Sequence, residues 1–174
     1  MSQVCTRPAR TWAVRYTEPR DLAPVVHLAE QVPAPRRARP DFLRGFPAHD
    51  VSSWVAAVDE QVVGFVACRF VLPRHLDSLP REGAEGGGGL AWPLRLELLH
   101  IAVAPEHRRC GLGRALMARV GEWLRQPGDR VGARVPESNL TLQLFLRSLG
   151  YKAVRVLRGH YGEEDAYVME RRRD

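Results

Sequence analysis

Residues 97–120, "ELLHIAVAPEHRRCGLGRALMARV", run from an apolar alternation through a basic, glycine-punctuated turn into a helical pattern. No other stretch constrains the fold as tightly, because strand, turn and helix are specified together. By period two Glu97, Leu99, Ile101 and Val103 share one strand face, and Leu116, Val120 and Leu124 form one stripe of a helix from about Gly113 to Gln126. The first N–H groups of a helix lack an intrahelical partner and point outward, so an anion can sit there if nothing blocks it. Gly111 and Gly113 remove obstructing Cβ atoms and tolerate positive φ. Arg108, Arg109 and Arg114 add positive charge around the same spot. The turn is not a P-loop, which needs a lysine and a hydroxyl residue after its glycines; Arg114 and Ala115 follow here. Nor is it a dinucleotide fingerprint, because the next strand offers no acidic end residue before Asp129, which sits in a turn.

Around this unit strands and helices alternate. "TWAVRYT" (11–17) reads as a short strand, and 18–32 as a helix with Asp21 near its start and Leu22, Val25, Val26 and Leu28 or Ala29 on one side. Residues 33–50 carry four prolines and hold at most a helical turn or two. Residues 52–72 read as two strands about a tight turn at Asp59-Glu60. The stretch 73–93, with four consecutive glycines, is a long aperiodic loop of the kind that is mobile or functional. After strand 94–103 and the glycine turn come a strand at 130–135 and a helix capped by Ser138 or Asn139. That helix carries Leu142, Phe145, Leu146 and Leu149 and stops at Gly150. Strands at 151–158 and 165–172 close the chain. The order predicts an α/β layer structure with a mixed sheet, a tail at 1–10 and one domain over 11–174.

Composition narrows the partners. The 26 Lys and Arg against 20 Asp and Glu leave a net charge of +6, which suits polyanions. Only Lys152 is a lysine, so a coding bias explains the skew equally well, and no aromatic residues interleave a basic stripe. That argues against nucleic acid. Cys5, Cys68 and Cys110 are odd in number and form no CxxC, which argues against a disulfide framework or a metal site. "MSQVCTRPARTW" lacks the apolar core of a signal peptide, and no apolar run reaches membrane length. A cytoplasmic protein without a membrane partner is the expectation.

The run Arg108-Arg109-Cys110-Gly111-Leu112-Gly113 matches the pattern R/Q-x-x-G-x-G/A. With "HIAVAPEH" before it and "ESNLTLQLFLRSLGY" after it, the chain resembles the GNAT superfamily of acetyl-CoA-dependent N-acetyltransferases over about residues 12–170. The resemblance implies a mixed, mostly antiparallel sheet of about seven strands flanked by about four helices. It implies acetyl-CoA as acyl donor, its pyrophosphate held by the N–H groups of Arg109, Cys110, Gly111, Leu112, Gly113 and Arg114. The pantetheine arm would pair like an extra strand with the backbone of Ile101, Ala102 and Val103, and Asn139 would touch that arm. Cys110 occupies a position that accepts many residue types, so no reactive role attaches to it.

Attack on a thioester requires a neutral amine, so a base must take a proton from the ammonium. Glu97 is the candidate: it lies eleven residues before Arg108, the register at which many GNAT enzymes carry such a group. Desolvation amid "LRLELLH" would raise its pKa toward the working range. His100, an odd number of positions away, should face the opposite side as a packed histidine, and His107 should be solvated at the rim of the turn. The tail after Asn139, with "RGHY" and "EDAYVM", looks most like the RimI-type branch, which acetylates the N-terminal alanine of a ribosomal protein. Residues 33–50 and His160-Tyr161 would then line an acceptor groove.

Two residues depart from that branch. Arg134 stands where a glutamate base is expected, and Leu146 where a tyrosine acid is expected. Guanidinium is no base near neutrality and leucine carries no proton. Tyr161 could substitute as the acid or serve only as a wall. Neutralising an α-amine of pKa about 8 costs ~1 kcal/mol at neutral pH, against ~4–5 kcal/mol for lysine. A depleted site therefore suits an α-amine. The expected activity is direct transfer in a ternary complex to a primary amine, preferably a protein N-terminus such as that of a ribosomal protein. A small-molecule amine acceptor and a non-catalytic acyl-CoA-binding module are the alternatives, and monomer and homodimer both stay open.

Overall fold

The computed structural model describes residues 12–32, 50–71 and 93–173. Its strands are β1 (Trp12–Tyr16), β2 (Val51–Val58), β3 (Gln61–Phe70), β4 (Arg95–Val103), β5 (Arg130–Pro136), β6 (Lys152–Leu157) and β7 (Ala166–Arg172). Its α-helices among the described residues are α1 (Leu22–Glu30), α2 (Leu112–Gly121) and α3 (Leu140–Arg147). The strands form one seven-stranded sheet in the order β1-β2-β3-β4-β5-β7-β6. Every neighbouring pair is antiparallel except β4 and β5. This is the mixed, mostly antiparallel sheet expected, with three described helices against about four. Expectations for the N-terminal tail, for residues 33–49 and for residues 73–92 fall outside the described residues.

Two aspartates explain where helices begin and end. The expected helix 18–32 starts as a 3-10 turn at Pro19–Asp21, with α1 following. Asp21 does not cap α1 through its side chain; its carboxylate takes both Nη atoms of Arg15 at 2.6 and 2.8 Å. That bond holds its pKa below the usual carboxylate range. Helix α2 stops at Gly121 rather than Gln126 because the chain beyond it turns toward Asp129. Asp129 Oδ2 accepts the N–H groups of Arg125 and Gln126 at 2.8 and 3.0 Å, and Oδ1 accepts that of Leu94 at 2.7 Å. Only 2% exposed, this turn residue is a buried anchor joining β4, the end of α2 and β5. Burial works against its charge, and the amides win, holding its pKa low.

The register between β3 and β4 slips once. Cys68 faces Leu98 but Ala67 faces His100, so Leu99 is an extra residue, a β-bulge, and the side-chain phase reverses there. Leu96, Leu98, Ile101 and Val103 consequently share one face and Arg95, Glu97, His100 and Ala102 the other. The first face meets α2: a Cβ on Gly64, which pairs with Val103, would stand 3.3 Å from Val103 Cγ2 and 3.5 Å from Leu116 Cδ1. This corrects the expectation that Glu97 shares a side with Ile101 and Val103, and equally that His100 opposes Glu97. The His100 ring stacks on Phe65 with centroids 5.3 Å apart. It is a packed histidine as expected, and burial lowers its pKa to about 4.

Candidate active site

β4 and β5 pair only from Arg95–Arg130 to Leu98–Ala133, although β4 continues to Val103 and β5 to Pro136. Beyond that last pair a gap opens in the sheet. Ala104 N–H donates to Val63 O at 2.8 Å, so strand alternation turns the main-chain groups of Val103 and Ile101 toward the gap. Those of Ala102 turn toward β3. Of the three residues expected to line an arm, Ile101 and Val103 therefore present backbone to the gap and Ala102 does not.

The glycine turn follows directly. Arg109 and Gly111 adopt φ of +62° and +85°. The bond closing the first turn of α2 runs from Ala115 N–H to Gly111 O at 3.0 Å, which leaves the N–H groups of Leu112, Gly113 and Arg114 without an intrahelical acceptor. A Cβ on Gly111 would meet none of the described residues within 4 Å, so they leave the space over the turn open. Gly113 differs from the expectation. It has no positive φ, and its missing Cβ makes room for Phe145, whose Cζ would lie 3.3 Å away. Arg108 Nε donates to Val103 O at 2.9 Å and braces the turn against β4, while Arg109 and Arg114 are exposed. Open space, unpaired amides and two exposed guanidiniums fit a diphosphate.

His107 is mostly enclosed rather than solvated, its side chain 17% exposed. Cys110 is exposed with Sγ 3.4 Å from Arg108 O, whereas burial pushes the Cys68 thiol up to about 12.

Where β4 and β5 part, Glu97 Oε1 and Arg134 Nη1 lie 2.6 Å apart, on the face away from α2. Glu97 is thus a carboxylate paired with a cation, not one isolated among leucines, and its side chain is 16% exposed. Arg134 becomes its counter-ion. Tyr161 O–H donates to the main-chain oxygen of Arg134 at 3.0 Å. Burial raises the Tyr161 pKa against the pull of Arg134, so the phenol keeps its proton, and that proton is engaged by the β5 carbonyl. Asn139 Oδ1 accepts Leu142 N–H at 3.1 Å as the cap of α3, and Leu146 is fully buried. The fold therefore unites Glu97, Arg134 and Tyr161 on one side and sets the turn 109–114 past the end of β4.

A cleft of about 250 Å³ opens on the Glu97 side, lined by Arg95, Glu97, Arg130, Gly132, Arg134 and Arg155 among others. Arg95, Arg130 and Arg155 carry no motif and escape a reading of the sequence. A larger hollow of about 680 Å³ lies at the other edge of the sheet, between Trp12, Arg15, Pro24 and Gln61, remote from this chemistry. Among the described residues no three His, Cys, Asp or Glu side chains cluster as metal ligands. None of the described helices is long and apolar enough to cross a membrane.

The profile of the acetyltransferase (GNAT) family matches residues 14–151. The chain belongs to that family. It is accordingly an enzyme, and the acyl donor of GNAT acetyltransferases is acetyl-CoA. The N-alpha-acetyltransferase of Sulfurisphaera tokodaii is 29% identical over 135 residues, 74% of this chain and 73% of that one. The [ribosomal protein bS18]-alanine N-acetyltransferase of Escherichia coli is 35% identical over 77 residues, 41% of this chain and 52% of that one. Arabidopsis thaliana NAA60, solved in complex with acetyl-CoA, shares the GNAT fold with a TM-score of 0.71 at 22% identity, over 93% of this chain and 98% of that one.

Proposed function

We propose that this GNAT acetyltransferase modifies protein N-terminal α-amines by direct attack, with donor and acceptor bound together. The observation that carries the reading is the Glu97–Arg134 pair at the parting of β4 and β5, on the side opposite α2. The amides from Arg109 to Arg114 would hold the donor's pyrophosphate, and Ile101 and Val103 would pair with its arm. The Asn139 side-chain nitrogen is the group left to touch that arm, since its oxygen caps α3. Acetyl-CoA supplies a thioester carbonyl at the gap. The acceptor then enters from the open face, where Glu97 stands, so the two ligands meet only where the strands part.

Glu97 takes the proton from the ammonium, directly or through one water. Arg134 fixes the carboxylate and cannot itself accept a proton. Main-chain N–H groups of Ile101 and Val103 at the gap bind charge developing on the carbonyl oxygen. As the C–N bond forms the C–S bond breaks, and CoA leaves as a thiolate that takes up the amine's second proton through solvent. Tyr161 is a wall that holds the Arg134 segment, because its proton is already engaged. One paired carboxylate suits an amine that needs only ~1 kcal/mol to become neutral better than a lysine that needs ~4–5 kcal/mol. The names of the archaeal and bacterial relatives support the same acceptor.

The test is acetyl transfer measured side by side on a peptide with a free N-terminus, a blocked peptide with an internal lysine, a polyamine and an aminoglycoside. The free N-terminus should be the fastest. A higher kcat/KM on lysine or on either small amine would overturn the reading.

A further inference from the structure

We propose that the acceptor cleft selects N-termini followed by acidic residues, an inference that rests on the N-terminal acetylation reading and adds its substrate class. Sheet register fixes the floor of that cleft. On the face opposite α2, Arg95 stands level with Arg130, and Arg130 with Arg172. Glu97 is level with Gly132, Glu170 and Lys152, and Arg134 with Val168 and Arg155. Residues in register share a face, so six cations and two carboxylates occupy this half of the sheet.

Both carboxylates are already engaged, Glu97 by Arg134 at 2.6 Å and Glu170 by Arg172 at 3.0 Å. Arg95, Arg130 and Arg155 have no carboxylate partner among the described residues. Like charges directly opposite one another destabilise a sheet, and an anion over Arg95 and Arg130 would relieve that repulsion. Gly132 has no side chain and leaves the floor hollow between Glu97 and Glu170.

These three guanidiniums, without a carboxylate partner among the described residues, line the same cleft as Glu97. Arg95 is two residues from Glu97 along β4, about 7 Å at the usual strand rise. A peptide whose first residue reaches Glu97 therefore lays its second and third residues within range of these cations. Carboxylates there gain charge-assisted hydrogen bonds, and lysines or arginines meet repulsion. Among the described residues no aromatic side chain lines the cleft, so they offer stacked bases no platform, which favours a peptide over nucleic acid.

The experiment compares kcat/KM on three peptides that begin with the same residue and continue with two acidic, two neutral or two basic residues. The acidic peptide should exceed the neutral one about tenfold, mainly through KM, and the margin should shrink as salt rises. Arg95→Glu and Arg155→Glu should abolish or invert the order. Arg119→Glu, exposed on α2, makes the same change in net charge and should keep the order. An acidic peptide no better than the neutral one overturns the inference while leaving N-terminal acetylation intact. So does an Arg119→Glu effect as large as that of Arg155→Glu, or a short RNA that competes more tightly than the acidic peptide. Failure on all three peptides, with a small amine acetylated normally, overturns the parent reading instead.

Discussion

The two halves of the sheet are built on different terms. In β2 and β3 burial is continuous, with Val55, Phe65, Val66 and Ala67 all fully enclosed between layers. In β5 it alternates, with Val131, Ala133 and Val135 buried while Arg134 is exposed, and β6 is exposed along nearly all its length. A strand covered on both faces has no room for charge, whereas a strand with one bare face must be polar there. The closed half is therefore scaffold, and the open half is where the proposed acceptor chemistry lies. β4 is the border: one edge is locked to β3, and the other parts from β5 beyond Leu98.

The largest expected effect tests that border. Glu97→Gln should lower kcat about a thousandfold while acetyl-CoA affinity by calorimetry stays unchanged, because the glycine turn lies on the other side. Joint loss of turnover and donor binding would break the division between the two sides.

Asp129→Ala strikes the seam where β4, the end of α2 and β5 are tied together. Three amides lose their acceptor, and denaturant unfolding should show a loss of about 4 kcal/mol. Because its folded pKa is depressed, the stabilisation is present above the unfolded value of about 3.9 and vanishes as pH falls through the folded value. The variant should lack that acid limb; an unchanged acid profile would place the anchor elsewhere.

His100 probes the closed half. Its pKa drops from 6.5 to about 4 on burial, so the unfolded chain binds the extra proton between those values. Stability should be full above 6.5 and fall by roughly 2–3 kcal/mol as pH descends toward 4. His100→Gln should flatten that slope, and a slope that persists would assign it to another group.

The smallest effect separates the two glycines. Gly113→Ala should cost about 1 kcal/mol as Phe145 gives way, with donor affinity nearly kept. Gly111→Ala should cost a similar ~1 kcal/mol through its φ and also weaken acetyl-CoA binding, which calorimetry resolves. Equal effects on affinity would erase the distinction.

Element order was legible because periodicity is local. The Asn139 cap and the stop at Gly150 follow from side-chain chemistry a few residues long. The reversal within β4 also leaves a trace. Apolar residues fall at 94, 96 and 98, then at 99, 101 and 103, and the adjacent leucines mark the slip. A strict period-two count from Glu97 passes over it. Other features leave no trace. Arg134 meets Glu97 from a strand beyond a whole helix, so nothing local announces the pair. Asp129 reads as a common turn residue because Leu94, which it holds, is distant in sequence. Gly113 reads as the twin of Gly111 because a motif does not separate backbone conformation from packing.

The extra residue at Leu99 makes chain length, rather than side-chain identity, the guarded property of β4. Exchanging Leu99 disturbs its packing against the core, but deleting it would send Glu97 against α2 or expel Ile101 and Val103 from beneath it. A substitution there costs packing at one point, whereas a single lost codon would turn half the strand inside out.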